Sequence, residues 1–355
     1  MAHAHYMKPS TFLNLYIKNN RNSYVRKDLD FYDNEGFFDI LESKSILSRK
    51  EIMNMSLRSQ EGYLFTNIGL YPPQQIRKLI DKRSHYGLMY CPQCLAEDDI
   101  LYWRKRWRYS FYNGCPKHHL FLTDRCWRCY KPIRLLKTQI SANLAFCHNC
   151  KMDLRLSETL KVQNKYSLGI DAVRWFENGL RYGCFQIGEH KVWSVMFFHV
   201  CNHLRGLVDR KQLLVLPDFF MLDEYKDVCT KLERYNSRKG MLIYKGFLLN
   251  SMIYHIFQNF PNNFLSFIKF NNLTSREFTH GLKYLPFWYK DMLYTSLPKQ
   301  NKIGREISSL EVLGAINYLK KHGKIVNQLE VSSIIGCHST IHKEFRRIYK
   351  SLNSK

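Results

Sequence analysis

The sequence predicts a mainly helical protein with small zinc-binding modules set into it. Three observations lead there. Apolar residues recur at helical spacing in segments on either side of a cysteine-rich block. Seven of the eleven cysteines fall between Cys91 and Cys150, in four short pairs that include one histidine. Fifty-four Lys and Arg stand against thirty Asp and Glu, a formal net charge of +24.

Residues 1–85 form the first region. Apolar residues at helical spacing over 11–17 and 37–41 predict two helices, and Ser48 with Glu51 has the Ser-x-x-Glu spacing of a capping box. A short helix, a turn and a capped helix fit a helix-turn-helix, and equally the ordinary joining of two helices.

Residues 86–155 form a tandem zinc-finger region. Cys91 and Cys94 are a C-x-x-C pair, and twenty residues on come Cys115 and His118. Ligands held on a tight turn converge on one ion, and two such pairs supply the four N/S ligands of tetrahedral Zn²⁺. Pro92 and Pro116 stiffen the two turns. Cys126 and Cys129, then seventeen residues, then Cys147 and Cys150 repeat the arrangement with four sulfurs. Sequential pairing is the simpler expectation and interleaved pairing the alternative. His119 and His148, each beside an expected ligand, are rivals.

Between Cys94 and Cys115 runs a basic aromatic stretch. Nine Lys or Arg against the single acid Asp124 lie within residues 101–135. Arg104, Lys105, Arg106 and Arg108 are expected to expose a surface for nucleic acid or a partner. Trp103 and Trp107, four apart, are expected to be the small core that a zinc module needs.

Residues 156–300 read as a helical domain rich in Phe, Tyr and Trp, with helices over 170–176, 192–207 and 247–260. Pro261 and Pro298 mark breaks. Cys184, Cys201, Cys229 and Cys337 read as small buried hydrophobes.

Residues 301–355 read as a helix-turn-helix-like unit. Leu310, Leu313, Ile316 and Leu319 make one stripe; Leu329, Val331, Ile334 and Ile335 make a second. In the last helix Ile341, Phe345 and Ile348 are expected inward. That leaves His342, Lys343, Arg346 and Arg347 exposed, either as a nucleic-acid face or as a solvated closing helix.

The charge calls for a polyanionic partner, either nucleic acid or an anionic membrane surface. No apolar run approaches the ~20 residues of a membrane span, and the first residues lack the layout of a signal peptide. A bacterial cytoplasmic location with reduced thiols is expected. Catalytic zinc needs an open position and a general base. Both ligand sets are full, and no H-E-x-x-H, P-loop or G-x-G-x-x-G is present. A non-enzyme is expected.

At these residues the sequence resembles the TniQ/TnsD family of transposon target-selection proteins. The resemblance rests on Cys91 to Leu95, Tyr102, Trp103, Arg104, Trp107, Cys115 to His118, Leu120, Cys126 to Cys129 and Cys147 to Leu154. It implies a non-catalytic adaptor that joins a targeting element to the AAA+ ATPase TnsC. In the CRISPR-associated branch that element is a Cascade complex with its guide RNA, and the protein is a homodimer. The eight ligands carry over as two structural zinc ions per chain. Two positions depart from the pattern: where Gly often follows the second cysteine of a knuckle, this chain has Tyr130 and Lys151.

Two functions from different classes follow. In one, the chain is a scaffold for an RNA-guided complex at its target DNA. In the other, it is TnsD-like and reads an attachment site itself through its C-terminal helices. A zinc-ribbon transcription regulator is a third, weaker reading.

Overall fold

The computed structural model describes residues 6–16, 28, 30, 35–66, 75–77, 87–138, 143–163, 167–211, 241–279, 282, 285–296, 307–335 and 343–353. It is mainly helical, with two short hairpins among these residues. Contacts divide the chain into two compact units, Met1–Tyr289 and Lys290–Lys355. The first two sequence regions and most of the third thus fall within one unit, whose boundary lies inside the third region.

In the first unit, α1 (Pro9–Tyr16) is followed by α2 (Glu35–Lys44) and α3 (Arg49–Met55). The capping box on α3 forms as its sequence requires. Ser48 Oγ accepts the Glu51 N–H, and Glu51 accepts the Ser48 N–H at 2.8 Å. Phe38, Ile52 and Leu57 are buried beneath the α2–α3 turn, and Arg49 of α3 pairs with Asp39 of α2.

The helical domain is built on α5 (Ser167–Tyr182), α6 (Ser194–Lys211) and α7 (Met241–Phe257), preceded in the zinc region by the single-turn α4 (Pro92–Ala96). Gly169 lets α5 approach α7, because a Cβ there would lie 2.1 Å from the Phe247 ring. The core is aromatic. Phe185 and Phe197 lie 4.3 Å apart between ring centroids, Phe197 and Phe257 4.8 Å, and Trp175 meets Phe185 edge-on at 4.9 Å. Such pairs add to stability beyond the area they bury. Beyond Pro261 the chain continues as α8 (Asn262–Phe270), α9 (Ser275–Thr279) and α10 (Phe287–Ser296). The break at Pro261 falls where the sequence places it; Pro298 lies outside the described residues.

One sequence expectation fails here. Val192 and Trp193 are not helical; they end a hairpin of β3 (Cys184–Ile187) and β4 (His190–Trp193), in register Cys184↔Trp193 to Ile187↔His190. Gly183 and Gly188 sit at φ +71° and +56°, a region that costs glycine nothing. Phe185, Ile187 and Val192 alternate inward, so period-two burial overrides an apolar run that reads as helical. Of the scattered cysteines, Cys201 is buried and Cys184 half-buried, while Cys229 and Cys337 lie outside the described residues.

The second unit holds α11 (Ser309–Lys321), α12 (Gln328–Ile335) and α13 (Lys343–Asn353). Ser308 and Glu311 form a second capping box, and Gly323 at φ +61° ends α11. The core is Val312, Ala315, Ile316, Leu319, Val331, Ile335, Phe345 and Ile348. Each sequence stripe is therefore half right: Ile316 and Leu319, and Val331 and Ile335, are buried as expected. Leu310 and Leu313 on α11, and Leu329 and Ile334 on α12, are exposed. Two overlapping stripes compete on each helix, and the one that contains Val312 and Ala315, or Val331 and Ser332, packs inward.

Candidate metal centres

The ligands of the first cluster sit on two local devices. Cys91 precedes α4, whose Pro92 occupies the first turn, where a missing N–H costs nothing. One helical turn brings Cys94 back beside Cys91. Cys115 and His118 sit on the hairpin of β1 (Gly114–Cys115) and β2 (Leu120–Phe121). The imidazole turns Nδ1 inward, 3.3 Å from both Cys91 Sγ and Cys94 Sγ and 3.5 Å from Cys115 Sγ. Cys94 and Cys115 Sγ are 3.6 Å apart.

In the second cluster Cys126 Sγ lies 3.5 Å from Cys150 Sγ, and Cys129 Sγ 3.7 Å from Cys147 Sγ. Disulfide sulfurs would be about 2.05 Å apart. Four ligands on tetrahedral zinc lie about 3.8 Å apart for two sulfurs and about 3.6 Å for sulfur and nitrogen. Both quartets match, with all ligand atoms of each within 4.8 Å of one another. Each could hold one metal ion, and the pairing is sequential. Burial raises the Cys129 thiol, but the Lys131 N–H and the neighbouring thiols outweigh it and bring it to about 7.

The knuckles repeat one backbone motif. The residue after the second ligand donates its N–H to the carbonyl of the first: His119 to Cys115 at 2.8 Å, Tyr130 to Cys126 at 2.9 Å and Lys151 to Cys147 at 3.0 Å. Closing so short a loop takes a left-handed residue, and these three have φ of +52°, +55° and +58°. Tyr130 and Lys151 thus adopt the conformation for which glycine is usual, and accept its steric cost.

The rival histidines stand apart from both clusters. His119 is exposed and accepts from the Arg174 guanidinium at 3.2 Å. His148 is half-buried, and burial lowers its pKa, helped by Lys137 and Arg134. Outside the quartet, Glu97 Oε1 lies 2.8 Å from His118 Nε2, and Glu97 Oε2 accepts from Lys117. Sequence reading missed this carboxylate, although its place three residues after Cys94 was available as a signal.

The basic stretch is not the uniform exposed surface expected of it. Arg108 is buried and paired with Asp28 and Asp30, and its guanidinium also donates to the Arg77 carbonyl. Burial opposes the charge, but the two aspartates more than restore it and hold the Arg108 pKa above the ordinary value. Arg104 is half-buried, clamped by both oxygens of Asp98 at 2.7 and 3.0 Å and lying over Tyr102 and Trp107. Lys105 donates to the Asn54 carbonyl at 2.6 Å and to Ser59 Oγ at 2.8 Å, a cation at the C-terminal end of α3, where the helix dipole favours one. Arg106 is exposed and pairs with Glu177 of α5 at 2.9 Å. The physical reason is that +24 of charge still leaves buried aspartates and open helix ends to satisfy, and these cations join three chain segments by doing so.

The two tryptophans do form a core. Trp107 is buried, Trp103 meets it edge-on at 5.6 Å, and Trp103 Nε1 donates to the Leu144 carbonyl at 3.0 Å, which ties the two modules together. The lone acid Asp124 is buried, 3.0 Å from the Arg77 guanidinium. On α13, Phe345 and Ile348 point inward as expected and Arg347 is exposed. Arg346 is only half-exposed, with a buried Nε that lacks a hydrogen-bond partner among the described residues. Ile341, His342 and the Lys343 side chain lie outside the described residues.

Fold and clusters together define a helical protein organised around two closed Cys/His quartets, an arrangement suited to structural rather than catalytic metal. The TniQ family model matches residues 1–122, a segment that contains the whole first quartet. Residues 1–122 are thus similar to the TniQ domain, which supports a place in the TniQ family and indicates a transposition-associated targeting protein. No curated protein and no solved structure matches it. Among the described residues no helix is long and apolar enough to cross a membrane.

Proposed function

We propose that the chain is a non-catalytic adaptor that links an RNA-guided DNA-binding complex (Cascade) to the AAA+ transposition regulator TnsC, and so directs DNA integration. The observation that carries the reading is the TniQ match over the segment that holds the first quartet. Cys91, Cys94, Cys115 and His118 hold one structural Zn²⁺, and Cys126, Cys129, Cys147 and Cys150 hold the other. Zinc supplies folding free energy at such sites, because the apo ligands have no other means of closing a small module. Four protein ligands leave no position for substrate, which supports a structural role.

The chain's own residues do the rest. Arg108, Arg104 and Lys105 fasten the N-terminal helices and the ligand loop to one another, so that the TniQ segment presents a fixed surface. A homodimer in contact with target DNA is part of the proposal. The alternative is a TnsD-like selector that reads its attachment site directly; the exposed Arg347 on α13 favours it.

The test is co-purification. The tagged full chain, expressed with the RNA-guided complex of its own transposon and with TnsC, should retain both through a salt wash near 150 mM. Loss of the RNA-guided complex, with selective capture of one duplex DNA instead, would establish the alternative.

A further inference from the structure

Beside the first quartet lies an open cleft of about 550 Å³. Its floor is the basic stretch, one wall is the turn after α3 and the other is the C-terminal end of α5. Four cations line it, Arg104, Lys105, Arg106 and Arg181, against one carboxylate, Glu177. Asp98 takes up Arg104, and Glu177 takes up Arg106. Neither Lys105 nor Arg181 forms an ion pair among the described residues; Asp30, paired with Arg108, acts on Lys105 only at longer range. Lys105 is held by neutral oxygens, which orient its ammonium without cancelling its charge.

The rings are the second observation. Tyr63 and Tyr102 line the cleft and are 47% and 51% exposed. The aromatic surface continues past the rim. Gly183 packs against the Tyr63 ring and its carbonyl accepts the Ser194 N–H, while Ser194 Oγ donates to the Tyr63 carbonyl at 2.7 Å. The chain neighbours of that junction are Tyr182, 73% exposed, and Trp193, 69% exposed. Two exposed rings therefore line the cleft beside its cations, and Tyr182, with the Arg181 guanidinium 5.9 Å over its ring, adds a third at the rim.

From this we infer that the cleft binds single-stranded nucleic acid, with a phosphate between Lys105 and Arg181 and unstacked bases on Tyr63 and Tyr102. Stacking on aromatic rings with cations tracking the backbone is how single strands are held without sequence preference. A protein partner would need an apolar centre to the patch, and the only aliphatic side chain lining the cleft, Leu180, is buried. Duplex DNA keeps its bases stacked inside and cannot use the rings. The inference deepens the targeting reading, since an RNA-guided complex brings both a guide strand and a displaced strand, and the shared chemistry does not depend on which is bound.

The test is fluorescence anisotropy of the full zinc-loaded chain with labelled dT12 and rU12, with a hexaglutamate peptide and a duplex as competitors. Tyr63→Ala and Tyr102→Ala should each weaken single-strand binding roughly tenfold, while Tyr102→Phe keeps the ring and retains it. Arg181→Ala should flatten the dependence of log K on log salt by about 0.7. Metal content equal to that of the parent chain certifies that each variant is folded. A preference for dT12 or for rU12 identifies the strand. Unchanged affinity in the folded alanine variants would overturn the inference. So would displacement of dT12 by hexaglutamate at matched charge, which would give the cleft to an acidic protein partner. Co-purification of the RNA-guided complex is read separately, so either reading can fail while the other stands.

Discussion

His118 and Glu97 are hydrogen-bonded through Nε2 and Oε1 at 2.8 Å, while His118 Nδ1 faces three cysteine sulfurs. A carboxylate on the far nitrogen fixes the tautomer in which Nδ1 carries the lone pair, and raises its basicity as a ligand. Lys117, bonded to the same carboxylate, holds Glu97 below the usual carboxylate range, and His118 adds to the effect. Glu97 is thus ionised whenever the imidazole needs orienting.

Glu97→Gln is therefore expected to weaken metal binding at the first quartet by roughly 10- to 100-fold. The second quartet should be unaffected. Competition with a chromophoric chelator reads the two sites as separate steps, and only the first should move to lower chelator concentration. Equal loss from both sites would refute a local role for Glu97.

Arg108→Ala should destabilise the first unit by about 3–5 kcal/mol, because it leaves Asp28 and Asp30 without their cation, Asp28 in a buried position. Arg106→Ala, which removes an exposed pair with Glu177, should change stability by less than about 1 kcal/mol. Denaturant midpoints of the two variants check this. Similar midpoints would mean that the ion pairs at Arg108 are not formed in solution.

The isolated chain should bind duplex DNA weakly, without sequence preference, and lose it near physiological salt. Arg347→Ala should lower that affinity slightly for every sequence alike. If Arg347 instead reads a base, the same substitution should cost roughly 1–3 kcal/mol and relax preference at one position. Binding-site selection from a random duplex pool distinguishes the two outcomes.

The quartets were legible because each is assembled from pairs three positions apart, so that ligand spacing alone brings the atoms together. The capping box at Ser48 was legible for the same reason, and the one at Ser308, just as local, was missed. Arg108 was misread because its partners, Asp28 and Asp30, lie about eighty positions away. Sequence shows a basic run but not which cations are already spent inside. The β3–β4 hairpin was hidden within an apolar run, and the phase of α11 depended on which of two overlapping stripes met Phe345. The cleft was illegible for the deeper reason that Tyr63, Tyr102 and Arg181 come from three separate segments. No window of sequence contains them together.

The metal content of the purified chain tests the organising claim most directly. Elemental analysis of protein prepared without added metal should give close to two zinc ions per chain, falling to one in Cys94→Ser and in Cys129→Ser, each with local unfolding of its own module. A ratio near zero in a folded, monodisperse preparation would contradict the account, as would a cysteine variant that keeps both ions.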